Sequence, residues 1–516
     1  MTKTISLQIF QTSDLHGYVY PFRYTSRKEQ AMGLAKLQTK LLQLSRPNRL
    51  LIDTGDTIQG SPLTYYVAKQ NHLKIHPMAQ VLNHMNYDYI TIGNHEFNYG
   101  LRVLHSFVDH LTPTILNGNL LDQRTNQPFV GVTHDIRTLA DGPTIGIIGV
   151  TTHYIPNWEQ PSHIANLAIR DAFETAQELV KQLRPKVDYL IVNYHGGFEK
   201  DLHTMEYNVE NTGENQGAKL LEELPDIDLL LTGHQHRLLQ GTHQHTTYVQ
   251  PGFNGRNLAE IQVTFTHTTA WSHETKVTLH DVSDVEADPA ILALLSENEN
   301  NTQDYLDTPV GQLDKDYFIT DQLAARVQKH PLVSLINHIQ QNATKADISM
   351  CSLGNAVSGF AKDITIRDII GTYEFPNTLV VKELTGRIIK QALEKSAEFF
   401  AVAAGEIVIA AAYNHPKLQL YAYDMYDPIT YTIHVSNPIG DRIHDLLLHG
   451  EPLDMDKTYT VVMNNYRASG GGDYSFIPRC PTVSDTQIEV IELLVDYIVS
   501  NKQITIPHTN NIKVIL

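Results

Sequence analysis

Five short stretches in the first half of the chain end in side chains that bind cations or move protons. They are Asp14-Leu15-His16, Gly55-Asp56, Gly93-Asn94-His95-Glu96, Tyr194-His195-Gly196-Gly197 and Gly233-His234-Gln235-His236. One such stretch means little, because an Asp or His after an apolar run is most often a turn former or a helix cap. Five in one chain, each after an apolar run and most beside glycine, are hard to account for as turns. Residues at i and i+2 of an extended segment point the same way, so Asp14 with His16, and His234 with His236, can reach one cavity. Imidazole nitrogens mixed with Asp and Asn oxygens suit Mn²⁺, Zn²⁺, Co²⁺ or Fe²⁺; the set is too rich in nitrogen for Ca²⁺ or a bare Mg²⁺ site. Two such cations about 3.5–4 Å apart polarise a phosphoester and the oxygen that attacks it, so phosphoester hydrolysis is the chemistry indicated.

Side chains that converge in this way need rigid supports. The first ~265 residues repeat an apolar run of strand type, a loop rich in Gly, Asp and His, and a segment of helical period. The runs lie at 6–10, 50–52, 89–92, 145–150, 189–192 and 229–231, and helices are expected over 29–45, 77–86, 169–184 and 215–224. This alternation builds a layered α/β fold whose ligands bind beyond the carboxyl ends of the strands. Around 284–310 the composition turns acidic, in DVEADPAILALLSENENNTQDYLDTP, and reads as a linker helix. The expected division is a metal domain at 1–283, a linker at 284–320 and a second domain at 321–516. In the second domain helices are expected over 322–341, 384–398 and 485–501, with strands at 378–381, 431–435 and 458–463.

A chain of 516 residues is long enough for two cores. With 39 Lys and Arg against 57 Asp and Glu, the net charge of -18 argues against wrapping duplex nucleic acid or adhering to an acidic membrane. A small anionic substrate stays accessible if cations occupy the site. Because the chain has 26 histidines, a lone His carries little weight. Cys351 and Cys480 are far apart and outside any metal-type spacing, which fits a protein that does not rely on disulfides, although a bridge between them stays open. The start lacks the apolar core of a signal peptide and no run approaches ~18 apolar residues, so a soluble, cytoplasmic protein is expected.

D-x-H, G-D, G-N-H-E, an isolated H and G-H-x-H, in this order and at this spread, resemble the calcineurin-like metallophosphoesterase superfamily. GNHEFNYG and the late run NNYRASGGGDYSF narrow the resemblance to its 5'-nucleotidase family, over nearly the whole chain. The resemblance implies an N-terminal four-layered α/β/β/α metallophosphoesterase sandwich and a C-terminal α/β nucleotide-binding domain. It implies Asp14, His16 and His236 at one metal, Asn94, His195 and His234 at the other, and Asp56 as the bridge. His95 then corresponds to the catalytic histidine that meets a phosphoryl oxygen.

Where the 5'-nucleotidase branch usually reads GNHEFD, this chain has Asn98. An Asn carbonyl can orient the imidazole but cannot favour its charged form, so a less basic His95 is expected. GNHEFNYGL, IQGSPL (58–63), His76-Pro77 and YEFPNTL (373–379) resemble the 2',3'-cyclic-nucleotide 2'-phosphodiesterase and 3'-nucleotidase branch. The family sandwiches the base between two rings. Tyr466 matches one, and Tyr421, or Tyr423 close behind it, matches the other. Asp473, after three glycines, is placed to accept ribose hydroxyls. The arginines of 5'-nucleotidases are not evident in SLGNAVSGFAKD (352–363), where Asn355 offers an amide instead. The expected activity is that of a two-metal cyclic-nucleotide phosphodiesterase with 3'-nucleotidase activity on small nucleotides. A 5'-nucleotidase or nucleotide-sugar hydrolase is the alternative within enzymes, and a non-catalytic nucleotide-binding protein the alternative outside them.

Overall fold

The computed structural model describes residues 3–516 apart from 71–73, 158, 160, 208–212, 374–376, 415–417 and 508. Residues 374–376 of the YEFPNTL run thus lie outside the described residues. The chain divides into two compact units, Met1–Gln303 and Asp304–Leu516.

The first unit holds two six-stranded sheets. One is ordered Trp271–Asp281, Asn257–His267, Lys3–Thr12, Arg49–Asp53, Tyr89–Thr91, Thr114–Leu116. The other runs Leu238–His243, Thr246–Pro251, Leu229–Thr232, Tyr189–His195, Thr144–Thr151, His134–Thr138. Alternate residues of the apolar runs face opposite ways, and both faces are buried, which is why the runs are continuous rather than alternating. Leu7, Ile9, Leu50 and Ile52 of the first sheet meet Ile147, Ile191, Leu229 and Leu231 of the second. On the far face of the second sheet, Ile148, Val150, Leu190 and Val192 pack against the helices Ala172–Leu183 and Gly217–Glu223. The helix Leu34–Leu44 packs on the strand Asn257–His267 of the first sheet. The result is the expected α/β/β/α layering.

In each sheet the central strands are parallel and in register: Lys3–Thr12 with Arg49–Asp53 and Tyr89–Thr91, and Thr144–Thr151 with Tyr189–His195 and Leu229–Thr232. Their carboxyl ends therefore line up along one edge. Just beneath that edge buried polar side chains tie the two sheets together. Gln11 Nε2 donates to the Thr232 carbonyl at 2.9 Å, Thr54 Oγ1 donates to Asn193 Oδ1 at 2.9 Å, and Asn193 Nδ2 donates to the Asp53 carbonyl at 2.9 Å. Such bonds fix the two sheets more sharply than apolar packing alone, because each unmade bond would strand a buried polar group.

The second unit has a five-stranded sheet ordered Asp424–Asp427, Ile348–Ser352, Thr458–Asn464, Thr378–Thr385, Thr482–Glu489, and a four-stranded sheet ordered Glu451–Pro452, Ile443–Leu448, Ile429–His434, Ile512–Ile515. Two expected helices differ here. The run 322–341 breaks into Gln322–Val327 and Pro331–Thr344, because Pro331 has no N–H for a helix interior and begins a new helix instead, with His330 as its cap. The run 485–501 starts as the strand Thr482–Glu489, paired with Thr378–Thr385, and is helical only over Val490–Asn501. The acidic stretch forms two helices, Pro289–Leu294 and Ser296–Leu306, the first capped by the Asp288 side chain.

Candidate metal centre and substrate-facing residues

Asp14 (φ 53°), His16 (48°), Asp56 (59°), His234 (70°) and His236 (57°) all adopt left-handed backbone. For residues other than glycine this costs on the order of 1–3 kcal/mol each, and it persists where surroundings over-determine it. The extended i, i+2 geometry expected for Asp14–His16 and His234–His236 is thus corrected. The strands stop at Thr12 and Thr232, and left-handed turns, not the pleat, return each pair to one side. Neighbouring loops hold these turns: Asp14 N–H donates to the Gly55 carbonyl at 2.8 Å, and His16 N–H to the Asp56 carbonyl at 2.9 Å. Glu96 of GNHE binds the next loop. Its carboxylate accepts the backbone N–H groups of Gly93, Asp56 and Thr57 at 2.6, 3.0 and 2.5 Å. Gly93 is required there, since a Cβ would stand 2.3 Å from Asp56 Oδ1.

Two groups of ligand-type side chains converge. In the first, His16 Nε2 lies 2.8 Å from His236 Nε2, and Asp14 Oδ1 lies 3.5 Å from His236 Nε2. In the second, His195 Nε2 lies 3.1 Å from both Asp56 Oδ2 and Asn94 Oδ1, and His234 Nδ1 lies 2.9 Å from Asn94 Oδ1. The far side of each buried ring decides what these atoms are. His16 Nδ1 donates to the Gln59 carbonyl and His195 Nδ1 to the Thr54 carbonyl, each at 2.8 Å. His234 Nε2 faces Glu214 Oε1 at 2.8 Å. Carbonyl and carboxylate oxygens only accept, so those nitrogens carry hydrogen and the opposite nitrogens turn lone pairs inward.

Lone pairs that face one another and carboxylate oxygens need a cation among them. Asp56 Oδ2 is buried without a hydrogen-bond partner among the described residues. Without a metal, a proton does part of this work. Burial opposes charge on His195, but the Asp56 carboxylate outweighs it and pushes the ring up to about 10. His16 cannot be served that way, because burial and then the neighbouring His236 drive it down to about 4. The neutral His16 ring thus turns an Nε2 lone pair toward His236 Nε2 at 2.8 Å and the Asp14 carboxylate, and the donor set of each group fits a divalent cation. His236 is 39% exposed and stacks on Phe253 at 4.7 Å, so the centre opens on that side.

His95 stands beside both groups. Its backbone N–H donates to Asp56 Oδ1 at 2.8 Å, its ring is 5.4 Å from that of His16, and Nδ1 is 2.5 Å from Asn98 Oδ1.

In the second unit Tyr466 is 43% exposed, while Tyr423 is fully buried against Phe399 and Phe400, which leaves Tyr421 as the other half-exposed ring. Asn355 spends both ends of its amide on backbone: Nδ2 donates to the Leu418 carbonyl at 2.9 Å, and Oδ1 accepts from Leu420 N–H at 2.8 Å. It sets the loop that carries Tyr421 rather than presenting a spare amide. Asp473 is 87% exposed, 3.4 Å from Lys395 Nζ. Sequence reasoning missed Arg467. Its buried guanidinium pairs with Asp424 at 2.7 Å and donates to the carbonyls of Gly471 and Tyr421, so it ties the glycine loop to the Tyr421 segment. It also missed Glu214, which lies outside any motif, and gave Glu96 no role of its own.

The layered fold with two cation-ready groups at its strand ends defines a metallophosphoesterase. The calcineurin-like phosphoesterase model matches residues 7–238, and the 5'-nucleotidase C-terminal domain model matches 309–479. A Staphylococcus aureus protein provisionally described as a 5'-nucleotidase, crystallised with alpha-ketoglutarate, is 35% identical, with a TM-score of 0.80 over 99% of this chain and 100% of that one. The chain belongs to the 5'-nucleotidase family of calcineurin-like phosphoesterases and is a phosphoester-hydrolysing enzyme. The 2',3'-cyclic-nucleotide 2'-phosphodiesterase/3'-nucleotidase of Salmonella typhimurium is 27% identical over 91% of this chain and 82% of that protein. The trifunctional nucleotide phosphoesterase protein YfkN of Bacillus subtilis is 26% identical over 98% of this chain, which spans only 39% of it.

Proposed function

We propose that the enzyme opens nucleoside 2',3'-cyclic phosphates and then removes the remaining 3'-phosphate. The observation that carries this reading is the GNHEFNYGL run, in which Asn98, not a carboxylate, accepts from His95 at 2.5 Å. Kinship to the Salmonella enzyme of that activity supports it. In this reading Asp14, His16 and His236 would hold one divalent ion, Asn94, His195 and His234 the other, with Asp56 as the ligand shared between them. Mn²⁺, Zn²⁺, Co²⁺ and Fe²⁺ all suit such ligands. When bound, the pair supplies charge to neutralise phosphoryl oxygens and lowers the pKa of the attacking water.

His95 presents Nε2 to a phosphoryl oxygen and stabilises its charge as phosphorus becomes five-coordinate. Water adds to phosphorus, the bond to the 2' oxygen breaks, and that oxygen leaves as the ribose hydroxyl. Tyr466 and Tyr421 stack the base, worth about 1–3 kcal/mol and tolerant of its identity. Asp473 accepts from the ribose, and Asn355 acts through the loop that holds Tyr421.

A second reading, a 5'-nucleotidase, is favoured by the 35% identity to the Staphylococcus protein. Comparing kcat/KM for 2',3'-cyclic AMP, 3'-AMP and 5'-AMP in Mn²⁺ separates the two. Preference for the cyclic and 3' substrates supports the proposal, and preference for 5'-AMP replaces it with the second reading.

A further inference from the structure

Asn98 raises a question that His95 alone does not answer. An amide offers an oxygen on one side and an NH₂ group on the other, and only its neighbours decide which way it faces. If it turned over, it would present N–H to the Nδ1–H of His95, and the imidazole would lose its support or change tautomer. The deciding neighbour is Glu159, a buried carboxylate from a distant loop. Asn98 Nδ2 donates to Glu159 Oε2 at 2.8 Å, and Glu159 Oε1 lies 2.8 Å from His163 Nδ1. An ionised carboxylate only accepts, so the NH₂ group must point to Glu159 and Oδ1 must point to His95. His95 then carries its hydrogen on Nδ1 and keeps Nε2 for the reacting group. The loop is seated on the same motif. A Cβ on Gly100, the second glycine of GNHEFNYG, would stand 3.3 Å from His163 Cδ2.

A purely structural reading makes Glu159 and His163 an ion pair four residues apart that fastens a loop. That reading does not require the pair to end on an amide whose other end holds His95. We propose that Glu159 is a positioning residue for His95, acting through Asn98, so that Asn98 with Glu159 orients the ring as a carboxylate at position 98 would. This rests on the reading of His95 as the group that meets the phosphate.

The test is a set of exchanges assayed for kcat and KM on 2',3'-cyclic AMP and on bis(4-nitrophenyl) phosphate, in mildly alkaline buffer, with thermal unfolding and metal content as folding controls. Glu159→Ala is expected to lower kcat roughly 10- to 100-fold with little change in KM, the usual range for a partner that orients a site residue. Glu159→Gln keeps an acceptor for Asn98 and stays nearer the parent enzyme. Asn98→Asp sets two carboxylates within hydrogen-bond reach and loses activity. The double exchange Asn98→Asp with Glu159→Gln recovers about tenfold of that loss, a coupling that a fastened loop would not produce. Glu159→Ala with undiminished kcat, or a double variant no better than Asn98→Asp, overturns the proposal, and the second arm stands even if Glu159→Ala fails to fold. His95→Ala is run alongside. If it keeps full kcat, both the reading of His95 and this proposal fall; if it is impaired while Glu159→Ala is not, only this proposal does.

Discussion

His16 and His234 are each held twice, by a left-handed backbone turn and by a bond to the far nitrogen of the ring. Glu214 is the case where the second hold can be measured. Its Oε1 faces the outer nitrogen of His234 at 2.8 Å and fixes which nitrogen turns inward. We expect Glu214→Ala to weaken binding of the second cation roughly 10- to 100-fold. The midpoint of Mn²⁺ reactivation reads this, and an unchanged midpoint would show that His234 needs no such support. His95→Ala should cut kcat by about 10²–10³-fold, as removal of one donor to a developing oxyanion does, with KM moved much less. The candidate cation ligands could be picked out in the sequence, because each follows an apolar run. The carboxylates behind them could not. Glu214 and Glu159 lie on loops without period, and only the folded chain brings them to His234 and Asn98.

At the scale of elements, two features of the sequence become measurable. His76 caps the helix Pro77–His84, its Nδ1 accepting from Met78 N–H at 3.2 Å. Burial drives this ring down to about 3. A histidine whose folded pKa is depressed takes up a proton on unfolding, so its contribution is present above about 6.5 and is lost as pH falls toward 3. His76→Asn keeps a capping oxygen that does not titrate, and we expect it to flatten the decline of unfolding free energy across that window. An unchanged slope assigns the acid sensitivity elsewhere. Arg467, paired in the interior with Asp424, is the second. Arg467→Ala strands a buried carboxylate and should cost about 3–5 kcal/mol in denaturant unfolding. A loss under about 1 kcal/mol, the range of exposed pairs, would contradict this. The parallel strands were readable because both their faces are buried. The ends of helices were harder, since Pro331 and the pairing of Thr482–Glu489 override a helical period that runs through both places.

At the scale of the whole molecule, the two units correspond to the two family models, one carrying the cation-ready groups and the other the exposed Tyr466. Among the described residues no helix is long and apolar enough to cross a membrane. The net charge of -18 is compatible with an anionic substrate only if positive charge is supplied where the substrate reacts. In the proposed function two cations, held on either side of Asp56, supply it. This claim is tested most directly by stripping the protein with a chelator, titrating Mn²⁺ back, and following bound metal and hydrolysis of 2',3'-cyclic AMP together, with Asp56→Ala beside the parent. Two ions per chain, activity that rises as the pair fills, and an inactive variant that binds fewer ions are the predicted result. Full activity in the stripped protein, or with a single ion bound, would contradict it.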